Sequence, residues 1–200
     1  MTILNDRISK LKRKTLETDI ELKINLDGEG NAQLNIEIPF LKHMLNLFAR
    51  HGNFDLAIKA KGDIEIDDHH TVEDIGICLG KAVKNALKDK KGIKRYGFFI
   101  LPMDEALVRV ALDISGRGQL VYQAKINVER AGTFEVDLVE EFFQAFSYYA
   151  GITLHINVLY GRNVHHIIEA IFKAFSRALA IACTFNEKNG AIPSTKGMLE

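Results

Sequence analysis

The feature that most constrains this sequence is a motif it contains twice. His69-His70-Thr71-Val72-Glu73 recurs as His165-His166-Ile167-Ile168-Glu169, about half of the 200-residue chain further on. A repeat of that length marks an internal duplication. The flanks agree. Ahead of the first motif, residues 32–38 alternate as a strand, 40–50 carry helical spacing and 54–60 alternate again. Ahead of the second, residues 134–137, 138–149 and 151–159 repeat that order. After each motif, apolar residues recur at steps of three and four, which line one helix face. They are Ile75, Leu79, Val83 and Leu87 in one case, and Ile168, Phe172, Phe175 and Leu179 in the other. Strands at 18–26, and later at 97–101 and 106–114, make each half roughly β-β-α-β-α. The early basic run of Lys10, Lys12, Arg13 and Lys14 reads as a solvated face. The expectation is one compact domain built from two halves, residues 1–92 and 93–200, with helices packed against sheets.

The spacing inside the motif carries chemistry. Residues i and i+4 share a helix face, one turn apart. His69 with Glu73, and His165 with Glu169, can therefore each grip one ion. The neighbouring His70 and His166 point about 100° away around the axis. They suit a second ion whose remaining ligands come from another segment, in the same chain or in another copy. Two metal sites built from both halves follow. Imidazole and carboxylate without thiolate suit manganese, iron, cobalt or zinc.

Composition excludes several classes. Lys plus Arg and Asp plus Glu are both 26, so the formal charge is zero, which argues against a nucleic-acid binder. No apolar run approaches the ~18–20 residues that cross a bilayer. The first twenty residues carry charges throughout and have no apolar leader core, so a cytoplasmic protein is expected. Cys78 and Cys183 lie among apolar residues with no CxxC and read as buried free thiols. Neither GxGxxG nor GxxxxGK[ST] occurs. The short pieces Gly28-Glu29-Gly30 and Gly116-Arg117-Gly118 are turn signals.

Longer stretches now carry a resemblance. They include ETDIELKINLDGEG from Glu17, FLKHMLNLFARHGNFDL from Phe40, DDHHTVEDIGICLG from Asp67 and PMDEALVRVALDISGR from Pro102. VEEFF from Val139, AGITLH from Ala150, HHIIEAIFKAFSRAL from His165 and PSTKG from Pro193 complete the set. In this order they resemble the imidazoleglycerol-phosphate dehydratases of histidine biosynthesis, over nearly the whole chain. The resemblance implies an α+β fold of duplicated units similar to ribosomal protein S5 domain 2, with four helices between two four-stranded sheets. It implies two manganese ions per active site, and homo-oligomers from a trimer to a 24-subunit shell with metals at subunit contacts. One ion would take His43, His70, His165 and Glu169. The other would take His69, Glu73, Glu141 and His166. Some relatives have His at the position of Glu141, and a carboxylate can ligate manganese as well.

The implied reaction is loss of water from imidazole glycerol phosphate to give imidazole acetol phosphate. A metal on a ring nitrogen helps the imidazole lose its N–H proton, so that the ring can expel the side-chain hydroxyl. The resemblance nominates Glu17 as the proton shuttle. His51 stands as a substrate contact or as a helix C-terminal cation. Asp104 and Glu105 stand as acid–base candidates or as groups that orient ligand histidines. Arg95 and Arg117 match the family's phosphate-binding arginines, a residue type whose planar fork suits phosphate oxygens. Lys173 projects near the His165 face, and Ser194, Thr195 and Lys196 would close over the site. Two other readings remain open on the residues alone: a binuclear hydrolase of phosphate esters, and a metal-dependent assembly without catalysis.

Overall fold

The computed structural model describes residues 7–186 and 190–199. Residues 1–6, part of the stretch read above for a leader, lie outside them. The elements are β1 (Ile8–Lys14), β2 (Thr18–Asn25), β3 (Ala32–Asn35), α1 (Pro39–Gly52), β4 (Asp55–Gly62) and α2 (His69–Leu87), followed by β5 (Tyr96–Met103), β6 (Ala106–Asp113) and β7 (Gln119–Gln123). A short ribbon of β8 (Arg130–Ala131) and β9 (Phe134–Glu135) precedes α3 (Leu138–Ala150), β10 (Thr153–Tyr160) and α4 (Val164–Cys183).

Two four-stranded sheets repeat one topology. Their orders are β1-β2-β4-β3 and β5-β6-β10-β7. In each, the third strand pairs antiparallel to the second and parallel to the fourth. The four helices fill the space between. Helix α2 lies on β1 and β2 and against α3, while α4 lies on β5 and β6 and against α1. Strand alternation drives the arrangement: Ile20, Leu22 and Ile24 face inward from β2, and Val108, Val110 and Leu112 from β6. Between the sheets, Phe142, Phe143, Phe146, Phe172 and Phe175 pack with ring centroids 5.0–5.3 Å apart. Pairs of this kind add about 0.5–1.5 kcal/mol each beyond the area they bury.

The paired helices pack closely. A Cβ added to Gly76 would lie 2.7 Å from the Phe142 carbonyl oxygen, and one added to Gly80 2.6 Å from that of Phe146. The equivalent place between α1 and α4 holds Ser176, whose hydroxyl donates to the Phe48 carbonyl. Both cysteines are free and buried, as expected.

Two strands lie where the sequence reading placed none. The basic run is strand β1, at the edge of the first sheet, and its lysines form the solvated face expected of the run. Lys10, Lys12 and Lys14 face outward, and Lys12 and Lys14 pair with Glu21 and Asp19 across to β2. Lysines on an edge strand blunt strand addition by other chains. Arg13 turns the other way, placing its Nε 2.8 Å from the buried carboxylate of Asp74. The second such strand is the fourth of the second sheet, which is β7 and not residues 134–137. Among the described residues that short alternating stretch pairs only with Arg130–Ala131, while β7 runs parallel to β10 in the place that β3 takes beside β4.

Candidate active site

Each histidine pair opens a helix. At α4 the Asn163 carboxamide closes the first turn, accepting from the backbone N–H of His165 at 2.9 Å and of His166 at 3.4 Å. At α2 the Asp67 carboxylate accepts from the N–H of His69 at 2.8 Å. Neighbouring imidazoles diverge: His165 faces Glu169 while His166 faces Glu105, and the ring planes stand at 86° for His69 and His70 and 84° for His165 and His166.

At the start of α4, three side chains that could hold a metal ion converge. His165 Nε2 lies 3.2 Å and His43 Nε2 3.6 Å from Glu169 Oε2. One ligand atom from each lies within 4.8 Å of the others. Phe40 packs edge-on against the His165 ring, which fixes that ring's orientation. Glu169 is only 7% exposed. Burial alone would push its carboxyl up, but the ammonium of Lys173 and the His43 imidazole hold it below the ordinary carboxylate range. His51 sits two turns along α1. Burial, then Lys173 and Arg177, push its imidazole down.

The second histidine of each motif faces a carboxylate instead. Glu105 Oε2 lies 2.7 Å from His166 Nδ1, and Asp63 Oδ2 3.0 Å from His70 Nδ1. Each contact occupies Nδ1 and holds the ring so that Nε2 is the nitrogen able to meet a metal. The pairing pulls the Glu105 carboxyl down to about 2, helped by the backbone N–H groups of Asn163 and Arg162. The same contacts push His166 and His70 up. Glu17, at the β1–β2 turn, reaches to 3.9 Å from His70 Nε2, and Asp104, at the β5–β6 turn, to 3.6 Å from His166 Nε2. The sequence reading offered Asp104 and Glu105 either as acid–base candidates or as groups that orient ligand histidines. It missed Asp63, which stands in a loop with Glu65, Asp67 and Asp68 and has no distinguishing neighbour in sequence.

Of the remaining expected ligands, Glu141 is exposed in the first turn of α3. His69 and Glu73 are half-buried one turn apart on α2. Within one chain, His70 does not join the His43 cluster, and His69, Glu73, Glu141 and His166 form no cluster of their own among the described residues.

The expected phosphate residues meet elsewhere. A cleft of about 830 Å³ is lined by Arg95, Arg117, Ser194, Thr195 and Lys196. Arg95 is held by Asp113 through Nε at 2.7 Å and Nη2 at 3.0 Å, and its Nη1 donates to the Pro193 carbonyl at 2.8 Å. A guanidinium has five N–H donors, so two remain for a ligand. The Arg95 backbone N–H donates to Ala182, near the far end of α4. About 25 Å of helix therefore separates this cleft from His165.

The comparisons with known proteins agree with one another. The family profile described as imidazoleglycerol-phosphate dehydratase matches residues 36–179. The imidazoleglycerol-phosphate dehydratase of Acetivibrio thermocellus is 58% identical over 97% of this chain and 100% of its own. That of Bacillus licheniformis is 55% identical over 96% and 100%. Among solved structures, the dehydratase from Staphylococcus aureus superposes with a TM-score of 0.82 at 46% identity, covering 90% of this chain and 99% of its own. The one from Pyrococcus furiosus gives 0.82 at 36% identity, covering 94% and 100%.

Proposed function

Because this chain belongs to the imidazoleglycerol-phosphate dehydratase family, a lyase of histidine biosynthesis, we propose that it converts imidazole glycerol phosphate to imidazole acetol phosphate with two manganese ions. The observation that carries the metal reading is the convergence of His43, His165 and Glu169, with ligand atoms within 4.8 Å. Two imidazole nitrogens and a carboxylate without thiolate fit a borderline-hard divalent ion. His70 completes this set, and His69, Glu73, Glu141 and His166 make the other. Bound manganese supplies Lewis acidity to the ring nitrogens and eases loss of the ring proton.

The protein's own groups do the rest. Arg117, Lys196 and the two spare N–H donors of Arg95 bind the phosphate, with the hydroxyls of Ser194 and Thr195 beside them. Asp113 fixes the Arg95 fork so that little is lost in ordering it. Glu17 takes the proton from the carbon that becomes the ketone, and returns one to the neighbouring carbon as the enol tautomerises. Asp63 and Glu105 keep His70 and His166 aimed through Nε2. His51 offers the substrate a hydrogen-bonding nitrogen beside Lys173.

One chain does not assemble this site. The separation of about 25 Å between the His165 end and the Ala182 end of α4 is far longer than an imidazole ring on a three-carbon phosphate ester. The missing Nε2 of His70 and the half-exposed Glu17 carboxylate point the same way. These distances support a homo-oligomer whose active sites lie at subunit contacts; its size, from trimer to 24-subunit shell, rests on the family resemblance. No described helix is long and apolar enough to cross a membrane, and two free, buried cysteines suit the reducing cytoplasm.

The test is turnover of imidazole glycerol phosphate by metal-stripped protein, with and without added Mn²⁺. Ketone formation that depends on manganese and releases no inorganic phosphate is expected. Phosphate release would instead favour the hydrolase reading, and intact metal binding without any product the assembly reading.

A further inference from the structure

Between α2 and β5 the backbone passes through three residues of positive φ: Lys88 at 52°, Lys90 at 60° and Gly92 at 70°. Arg95 follows at 73°. A non-glycine residue in this region costs about 1 kcal/mol or more, and such strain persists where neighbouring structure fixes it. Here the turn aims donors at the segment 190–199. The Gly92 N–H donates to the Ala191 carbonyl at 3.1 Å. Arg95 Nη1 donates to the Pro193 carbonyl at 2.8 Å, and the Lys90 ammonium to the Leu199 carbonyl at 2.8 Å. Lys90 is only 7% exposed and Leu199 8%. A buried ammonium is tolerated only where acceptors meet it, so this pin is costly to leave unmade.

The pins bracket the residues that line the phosphate cleft. Ala191 and Pro193 are fastened on one side of Ser194, Thr195 and Lys196, and Leu199 on the other. Between them the backbone folds on itself, with the Lys196 N–H donating to Ser194 Oγ at 3.2 Å and the Gly197 N–H to the Ser194 carbonyl at 3.1 Å. Resting on the phosphate reading above, we propose that Lys90 is a positioning residue for the reaction. It closes the far end of the 190–199 segment onto the protein and so holds Ser194, Thr195 and Lys196 over the phosphate. Lys90 touches no substrate. Its effect is on binding, with the chemistry at the metals left as it is.

The test uses the metal-loaded full-length protein and two variants at Lys90. Lys90→Gly suits a φ of 60° better than lysine does, so it removes the ammonium without straining the backbone. Lys90→Arg restores a cation. Steady-state kinetics with imidazole glycerol phosphate are read beside the rate of trypsin cleavage after Lys196, and Lys196→Ala serves as the reference. Lys90→Gly is expected to raise KM about tenfold, equal to about 1.4 kcal/mol. In that variant kcat stays within about twofold and cleavage after Lys196 is faster. Lys90→Arg recovers most of both. Unchanged KM and unchanged protection in Lys90→Gly would overturn the proposal. If Lys196→Ala raises KM and Lys90→Gly does not, the phosphate reading stands and the pin falls. If Lys90→Gly exposes the segment while neither variant moves KM, the phosphate reading falls and takes the proposal with it.

Discussion

Gly76→Ala tests the helix packing, because two effects of opposite sign compete there. Gly76 lies inside α2, where alanine is favoured over glycine by about 0.8–1 kcal/mol. On propensity alone the variant would be more stable. The new Cβ, however, would sit 2.7 Å from the Phe142 carbonyl oxygen and 3.1 Å from the Ala145 Cβ. Both belong to α3, and the nearer one is backbone that no rotamer change can move. The helices must part by roughly half an ångström to restore ordinary contact, and overpacking of this kind costs about 1–3 kcal/mol. The clash wins, leaving a net loss of about 1 kcal/mol. For a protein of this size that is a fall in Tm of about 2–4 °C. Thermal unfolding of the metal-stripped protein measures it. A rise in Tm would refute the close approach of α2 and α3. A second consequence follows at the site. The shift moves His69 and Glu73 relative to Glu141 and leaves His43, His165 and Glu169 in place, so that only His70 of their set moves with α2. On the two-ion reading, calorimetric titration with Mn²⁺ should therefore show the site of His69, Glu73 and Glu141 weakened more than the other.

Other perturbations have equally definite signs. In metal-stripped protein the Glu105 contribution to stability is present above its ordinary value of 4.5 and lost as pH falls through about 2. The His166 contribution is present below 6.5 and lost as pH rises through its raised value. The Tm difference between wild type and Glu105→Gln should thus peak between about pH 4.5 and 6.5 and shrink on both sides. Arg7→Met should cost about 2 kcal/mol in urea unfolding, since it strips Asp27 and the Cys183 carbonyl of a charged donor. Burial pushes the Cys183 thiol up to about 12, so iodoacetamide should label it only as fast as the protein unfolds. Asp113→Ala frees Arg95 from its two contacts and should raise KM for the phosphate ester several-fold, with metal content unchanged on elemental analysis.

How much of this was legible in the sequence depended on the distance over which a signal acts. The start of each long helix was readable because His-His-x-x-Glu encodes a helix face within five residues, and His165 and Glu169 meet as that face demands. The divergence of His70 and His166 followed from the same rotation. The fold class was legible through the repeat. Strand β1 was not, because its outward lysines look like any solvated run, and its inward members, Ser9, Leu11 and Arg13, are not a uniformly apolar set. Strand β7 was hidden by a stronger local alternation at 134–137 that tertiary pairing did not select. Asp63 was invisible because three other acids crowd the same loop. The bond from Lys90 to Leu199 joins the two halves across the whole second repeat, and no local pattern announces a contact of that range.

The placement of both ends of α4 also bears on genetics. On the proposed reading, the His165 end and the Ala182 end of one helix serve different active sites. A subunit ruined at His165 still carries an intact phosphate cleft, and a subunit ruined at Arg117 still carries an intact metal cluster. Two alleles, each inactive alone, should then rescue each other when their products are made together in one histidine-requiring cell. Growth of that cell without histidine would count the sites in which the two surviving ends have met.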